Sequence, residues 1–386
     1  MTRIFVVAAE ASGDALGADL IDALRARSPE VVIAGIGGAA IGSRGVESAI
    51  DISGLAVLGL IDGLKAYPRV VQLADKAADA AVAFAPDTVV LIDSWGFTLR
   101  VAQRLRRRLP GAKLVKYIGP QVWASRPGRA KTLAHVVDHL ICIHDFEAPF
   151  YAPYKLPCTV CGHPALGRFK KGDAAAFRAR HDLGEARVLL VLPGSRTTEL
   201  RRTAPHLFEA ARILSAADPS LKVVVVVARS VADSARAMAA AQPYSVLVVD
   251  GDAEKNDAFA AGTAAIAVSG TVTTEVGLQG TPVVVGYRLG WITWALARLF
   301  FYKSPFMTLM NVAAGREVAP EFIQTRCTAE NLVQAASPLL QDPAACAAQS
   351  AAQDRALDAM GRGGRPAADI AAEAVLAISQ SGSRFE

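Results

Sequence analysis

Ser269-Gly270-Thr271-Val272-Thr273-Thr274-Glu275-Val276-Gly277-Leu278-Gln279-Gly280-Thr281-Pro282 lies between two short apolar runs, Ala264–Val268 and Val283–Tyr287. Neither run alternates polar with apolar residues, so each reads as a strand buried on both faces, with a helix between them. Strand, helix and strand in that order make a parallel pair, the unit of an α/β sheet. Where the first strand breaks into Ser-Gly-Thr, backbone N–H groups and hydroxyls gather at a helix N-terminus. That end carries partial positive charge and suits a phosphate. Glu275, one turn further on, is a poor phosphate ligand but can accept hydrogen bonds from a ribose diol. Diphosphate donors beside a diol acceptor imply a nucleotide-sugar site. An ordinary strand-to-helix junction with a helix-stabilising Glu is the other reading of the same residues.

The same rhythm runs through the chain. Ile4–Ala9 is followed by a predicted helix from about Asp14 to Arg27, then by strands at Val31–Ile36, Thr88–Ile92, Lys113–Ile118 and His139–Ile143. It restarts after about residue 170 with Val188–Leu192, a helix from about Thr203 to Ala217, Lys222–Val227, Ser245–Val249, Ala264–Val268 and Val283–Gly286. The pattern predicts an α/β protein of two doubly wound halves joined near Gly162–Gly172. The expected domains are 1–168 and 169–340, with a helical tail, 341–386, packing back on the first. In such sheets ligands bind beyond the carboxyl ends of the strands, which predicts a site in a cleft between the halves.

The chain has 386 residues, more than one core usually serves, and 52% of them are hydrophobic. Its formal charge is +5, and Arg104, Arg106, Arg107, Arg108, Lys113 and Lys116 cluster, followed by Arg126, Arg129 and Lys131. Aromatic and Gly-rich RNA-binding signatures are missing, so no nucleic-acid partner is expected. Anionic lipid, a phosphorylated substrate, or plain solvation of an outer helix face would each account for the cluster. Of the five cysteines, Cys142, Cys158, Cys161, Cys327 and Cys346, only Cys158 and Cys161 have C-x-x-C spacing. Without a second pair they read as buried small hydrophobes in a reducing compartment. No apolar stretch reaches the roughly 18 residues of a membrane span, and the N-terminus enters a strand at once, so a cytoplasmic location is expected.

Chemistry-bearing residues recur at the predicted strand ends. Glu10-Ala11-Ser12-Gly13-Asp14 closes the first strand and opens the first helix, but it is neither G-x-G-x-x-G nor a Walker loop. Asp93-Ser94-Trp95-Gly96 ends the strand at Ile92, and Gly119-Pro120-Gln121-Val122-Trp123-Ala124-Ser125-Arg126 follows Ile118. Leu192-Pro193-Gly194-Ser195-Arg196 is a tight turn delivering a guanidinium, which can hold a diphosphate with two parallel hydrogen bonds. A plain surface arginine is the alternative.

Taken in order, these segments resemble the lipid-A-disaccharide synthase family. The resemblance rests on Ala9–Asp14 with Leu16-Gly17-Ala18, Leu55-Ala56-Val57-Leu58-Gly59, Ile92-Asp93, Val122-Trp123-Ala124 with Arg126 and Arg129, and Gly162-His163-Pro164. In the second half it rests on Leu192–Arg196 with Glu199, Ser269-Gly270-Thr271 with Glu275, Val284–Arg288, Asn311 with Ala314-Gly315-Arg316-Glu317, and Pro320–Gln324. It covers residues 3 to 335 and implies an inverting glycosyltransferase of GT-B type. Its reaction joins UDP-2,3-diacylglucosamine to 2,3-diacylglucosamine 1-phosphate, giving a β-1,6-linked disaccharide and UDP. The resemblance implies Asp93 as the base on the acceptor hydroxyl and Arg196 at the departing UDP. It makes Ser12, Gly13, Trp123, Arg126, Ser195, Ser269, Gly270, Thr271, Glu275, Asn311, Gly315 and Arg316 substrate-binding residues. No Asp-x-Asp metal motif is present, and no cofactor is expected.

Family members sit on the inner-membrane surface because both substrates are acylated. The apolar segment near Leu55–Val71, including Leu58, Leu60, Ile61, Leu64 and Tyr67, is therefore expected to dock at the interface. Trp291, Trp294, Phe300, Phe301 and Tyr302 are expected to pack internally. The chain departs from the family's usual residues at three places, all in the first half. Ser94-Trp95-Gly96-Phe97-Thr98 stands for Ala-Pro-Asp-Phe-Asn, Gly119-Pro120-Gln121-Val122-Trp123-Ala124-Ser125 stands for Ser-Pro-Ser-Val-Trp-Ala-Trp, and Gly167 stands for an Asp. The alternatives left open are a paralogue with another acceptor, a non-catalytic binder of UDP-sugar, and another two-domain UDP-sugar enzyme such as a UDP-N-acetylglucosamine 2-epimerase.

Overall fold

The computed structural model describes residues 1–52, 60–167, 169–250, 253–291, 294 and 304–381. The chain divides into two compact units, Met1–Gly167 with Gly363–Glu386, and Arg168–Arg362.

The first unit is built on β1 (Arg3–Val7), β2 (Val32–Ile36), β3 (Thr88–Ile92), β4 (Lys113–Tyr117), β5 (His139–Cys142) and β6 (Cys158–Val160). All pair in parallel, in the order β2-β1-β3-β4-β5-β6. β3, Thr-Val-Val-Leu-Ile, is buried along its whole length, as a strand covered on both faces requires, and β4 is equally buried although two of its five residues are lysines. One face packs on helices Leu60–Phe84 and Trp95–Arg108 through Ala74, Ala77, Ala81, Val101 and Leu105. The other packs on helices Ala11–Arg27 and Ala367–Ser379 through Leu20, Leu24, Ala371 and Val375. Alanines at these contacts let the helices lie close to the sheet. The chain winds from β1 to β2 on one side, then crosses to β3 on the other. The switch point of this sheet is therefore between β1 and β3.

The second unit repeats the plan with β7 (Val188–Leu192), β8 (Lys222–Val227), β9 (Val246–Asp250), β10 (Ala264–Val268), β11 (Val283–Tyr287) and β12 (Glu321–Ile323). Their order is β12-β11-β10-β7-β8-β9, again all parallel, with the switch point between β7 and β10. Leu189, Val191, Val223, Val225 and Ile266 form its core with Leu207, Phe208 and Leu332 of the covering helices.

The tail does not behave as one piece. Helix Pro343–Ala359 belongs to the second unit, where it packs on helices Thr271–Leu278, Leu309–Ala314 and Ala329–Gln341. Gln353, fully buried, fixes it there: its carbonyl accepts from Val283 N at 3.0 Å and its amide donates to Thr281 O at 3.2 Å. Only helix Ala367–Ser379 packs on the first unit.

The basic cluster also differs from the expectation of a solvated or lipid-facing patch. Arg104 pairs with Asp75, Arg106 with Asp138 at 2.5 Å and Arg108 with Asp79 at 2.8 Å. Lys113 and Lys116 lie inside the sheet, 6% and 2% exposed. Carboxylates on neighbouring elements thus take up much of the charge. The segment 53–59 and residues Phe300, Phe301 and Tyr302 lie outside the described residues, as do the side chains of 60–67. Trp291, expected to pack internally, is 64% exposed. Among the described residues no helix is long and apolar enough to cross a membrane.

Candidate active site

In the second unit a pocket of about 370 Å3 opens at the carboxyl ends of β7, β8 and β10, around the switch point. Leu192, Val227, Phe259 and Val268 form its apolar floor, and Arg196, Arg229, Lys255, Glu275, Ser195, Ser269 and Thr271 supply its polar groups. Its size suits a nucleotide.

The turn after β7 is held from inside. Glu199, 5% exposed, accepts from Ser195 N at 2.9 Å and Arg196 N at 3.2 Å, and its other oxygen pairs with the Arg196 guanidinium at 3.2 Å. Gly194 makes this possible: its φ is +111°, and a Cβ there would lie 2.6 Å from the Glu199 carboxylate oxygen. Ser230 Oγ donates to Ser195 O at 2.7 Å and ties the turn to the end of β8. The Arg196 side chain remains 59% exposed and borders the pocket.

Across the pocket, Ser269, Gly270 and Thr271 lead into helix Thr271–Leu278, whose first N–H groups border the opening. Glu275 pairs with Lys255 Nζ at 3.0 Å. Lys255 was not singled out in the sequence. Its signal was positional only: it opens the helix that follows β9, at a strand's carboxyl end.

Asn311, Gly315 and Arg316 do not line this pocket. Asn311 is fully buried, with an amide that donates to Ala319 O at 2.7 Å and Glu321 Oε1 at 2.6 Å. Its carbonyl accepts from Val318 N at 2.7 Å and Ala319 N at 2.8 Å. All four of its hydrogen-bonding positions are used, so Asn311 is a clamp and not a direct nucleotide ligand. It shapes the turn where Gly315, at φ +63°, ends helix Leu309–Ala314 and leaves Arg316 exposed.

In the first unit, Ser12 and Gly13 start helix Ala11–Arg27 at the switch point, and a Cβ on Gly13 would sit 3.7 Å from Ile92 O. They therefore lie beside the end of β3, where Asp93 follows. Asp14 turns away from this surface: its carboxylate accepts from Gly38 N at 2.7 Å, Ala40 N at 2.8 Å and Ile41 N at 3.1 Å.

Asp93 and Ser94 both have left-handed backbones, φ +47° and +39°, and Ile118, at the end of the neighbouring β4, has φ +63°. For a β-branched residue this is an outlier, and three such residues on adjacent strand ends mark a strained site. Beneath it, Thr98 Oγ1 donates to Asp93 O at 2.8 Å, and the buried Lys116 Nζ donates to the same carbonyl and to Thr98 Oγ1, the latter at 2.7 Å. Neither Thr98 nor Lys116 was foreseen as part of the site.

Trp123 meets Phe146 edge-on at 5.4 Å, and Phe146 stacks on His144 at 4.8 Å. The exposed Arg126 and half-buried Arg129 follow, Arg129 lying over the Trp95 ring at 5.3 Å. Burial and then the Arg126 charge lower the Arg129 guanidinium from its usual pKa. Burial also takes His144 down to about 3 and His163 to about 4, so both imidazoles are neutral. Cys142 and Cys161 are buried thiols, and among the described residues no cluster could hold a metal ion.

Two all-parallel six-stranded sheets, each in its own unit, with a polar pocket at the switch point of the second, define an α/β protein of GT-B type. Solved structures share the fold. A putative UDP-N-acetylglucosamine 2-epimerase of Listeria monocytogenes is 16% identical, with TM-score 0.63 over 97% of this chain and 95% of that one. The glycotransferase of kitacinnamycin is 18% identical, with TM-score 0.61 over 97% and 98%. Sequence comparison is more specific. The family model for lipid-A-disaccharide synthetase matches residues 4–375. Lipid-A-disaccharide synthase of Rhodospirillum centenum is 39% identical over 97% of this chain and 94% of its own length. That of Ruegeria pomeroyi is 37% identical over 97% and 95%. The chain belongs to the lipid-A-disaccharide synthase family, a family of glycosyltransferases.

Proposed function

We propose that this synthase forms the lipid A disaccharide with Asp93 as its base and the second unit as its UDP-sugar site. The substrates are the family's, UDP-2,3-diacylglucosamine and 2,3-diacylglucosamine 1-phosphate. Asp93 takes the proton from the acceptor's 6-hydroxyl. That oxygen bonds to C1 of the donor sugar from the side opposite UDP, and the C1–O bond breaks with its electron pair leaving on the β-phosphate. Arg196 and the N–H groups at Ser269–Thr271 receive the charge developing there, and Glu275 accepts from the ribose diol. Ser12, Gly13, Trp123 and Arg126 face the acceptor, with Arg126 and Arg129 suited to its 1-phosphate. Asn311 acts by holding Gly315 and Arg316. Because both substrates carry acyl chains, the enzyme works at a membrane surface, peripherally and on the cytoplasmic face.

The observation that carries the base assignment is the strained Asp93-Ser94 turn at the first unit's switch point, where α/β sheets bind ligands. Its test is disaccharide formation in mixed micelles, followed by mass spectrometry, with UDP binding measured by calorimetry. Asp93→Asn should lose about 100-fold or more in kcat with UDP affinity retained. Arg196→Ala should lose both turnover and UDP affinity. Full turnover in Asp93→Asn would refute the base assignment. UDP binding without turnover in the parent protein would point to another acceptor.

A further inference from the structure

We infer that Lys116 is a positioning residue for Asp93, holding from inside the sheet the backbone turn that aims the carboxylate. The inference rests on the reading of Asp93 as the base. Lys116 is 2% exposed on β4, directly beside Leu91 of β3 in the parallel register. Its Nζ reaches the Asp93 carbonyl and Thr98 Oγ1, and Thr98 Oγ1 donates to that same carbonyl. The three groups close a triangle beneath the turn.

The triangle answers a specific need. Two successive left-handed residues cost on the order of 1–3 kcal/mol each and persist only where the surroundings hold them. The turn carries the Asp93 carbonyl off the regular strand, so its acceptor must be satisfied by a donor reaching from elsewhere. A lysine whose only task was solubility would keep its amine in water. Here Lys116 borders one small gap with Leu91, Trp95, Leu99, Ala102, Leu133 and Val137, drawn from β3, helix Trp95–Arg108, helix Gly128–Ala134 and the turn after it. None of these carries a titratable group, and the charge acting on the amine is that of Asp93. Burial lowers Lys116 to about 7. Its neutral form has two N–H groups for two acceptors, so the turn is held in either state. Only the protonated form places a cation near Asp93.

Lys116→Met keeps the length and the packing but removes the donors. It should lower kcat about 100-fold, the order expected of a misaimed reacting group, with KM for either substrate changed less than about threefold. An inflection of kcat is expected in the parent near pH 7, where the Lys116 cation is lost, and it should vanish in this variant. Thr98→Val should lower kcat in the same direction, and Thr98→Ser should restore it. A parental circular dichroism spectrum and the melting of the first unit in calorimetry check that each variant is folded, since UDP binding reports only on the second unit. Parental kcat and pH profile in Lys116→Met, beside an inactive Asp93→Asn, would overturn this inference and leave the base assignment standing. Full activity in Asp93→Asn would overturn both. If Lys116→Met does not fold, Thr98→Val decides, and parental kcat there overturns the inference.

Discussion

Gly194→Ala is the sharpest test of the donor-side turn. The new Cβ would lie 2.6 Å from Glu199 Oε2 and 2.7 Å from Glu199 Cβ, on a backbone at φ +111°. Holding a residue other than glycine in that conformation costs about 1–3 kcal/mol. Glu199 cannot swing aside cheaply, because it is buried and bound to Ser195 N, Arg196 N and the Arg196 guanidinium. Each hydrogen bond to a charged group contributes about 1.5–3 kcal/mol, so losing even one brings the total to about 3 kcal/mol or more. For a unit of this size that corresponds to a fall in Tm of about 6–12 °C. Moving the turn also moves Ser195 and Arg196, and a loss of only about 1.4 kcal/mol at the diphosphate weakens UDP binding tenfold. Differential scanning calorimetry and UDP titration read both quantities on one sample. A variant with parental Tm and parental UDP affinity would refute the account of this turn.

Asn311→Leu should destabilise the second unit by about 3–5 kcal/mol in urea denaturation, because it strands the buried Val318 and Ala319 N–H groups. Its loss of UDP affinity should not exceed that of Arg316→Ala at a temperature where both are folded, since Asn311 acts through the segment it holds. Lys116 also gives a pH signature in stability. Its pKa falls from 10.5 to about 7 on folding, so between those values the unfolded chain binds more protons and stability rises with pH. Relative to Lys116→Met, parental stability should therefore climb by a few kcal/mol between pH 7 and pH 10; a flat difference would contradict this burial.

The strands were legible because parallel strands covered on both faces must be continuously apolar, and runs such as Val188–Leu192 and Ala264–Val268 have no other stable use. β12 gave no such signal, being three residues long and opening with Glu321. Nor did the tail's partition: its alanine-rich helices suit either sheet, and the buried amide of Gln353 decides for one of them. At the site, the turn at Gly194–Arg196 and the junction at Ser269–Glu275 were readable because strand ends next to glycine and hydroxyl residues have few other purposes. Lys116 was not, since a lysine between arginines reads as part of a charged surface. Only the third dimension places it under Asp93 while Arg104, Arg106 and Arg108 find carboxylates. Asn311 shows the converse: a polar residue expected at the ligand can be wholly engaged in holding its own segment.

The departures from the family's usual residues have physical partners in this chain. A Cβ at Gly119 would lie 2.9 Å from the Tyr151 hydroxyl, which donates to Pro120 O at 3.1 Å, so the glycine makes room for a bond that fixes the loop carrying Trp123. Thr98, standing where an amide is usual, completes the triangle with Lys116 and the Asp93 carbonyl. Trp95, replacing a proline, lies under the Arg129 guanidinium. These three changes are matched by contacts at the same strand ends, whereas a Cβ at Gly96, which stands for an aspartate, would meet only the Arg100 guanidinium at 3.9 Å, and Gln121 is exposed. Gly167 differs: a Cβ there would meet nothing within 4 Å, so the absent aspartate leaves no packing consequence. If Asp93 is the base proposed above, Gly119, Trp95 and Thr98 are substitutions whose contacts hold the strand ends around it, which favours a site with modified support over one decaying into a binder.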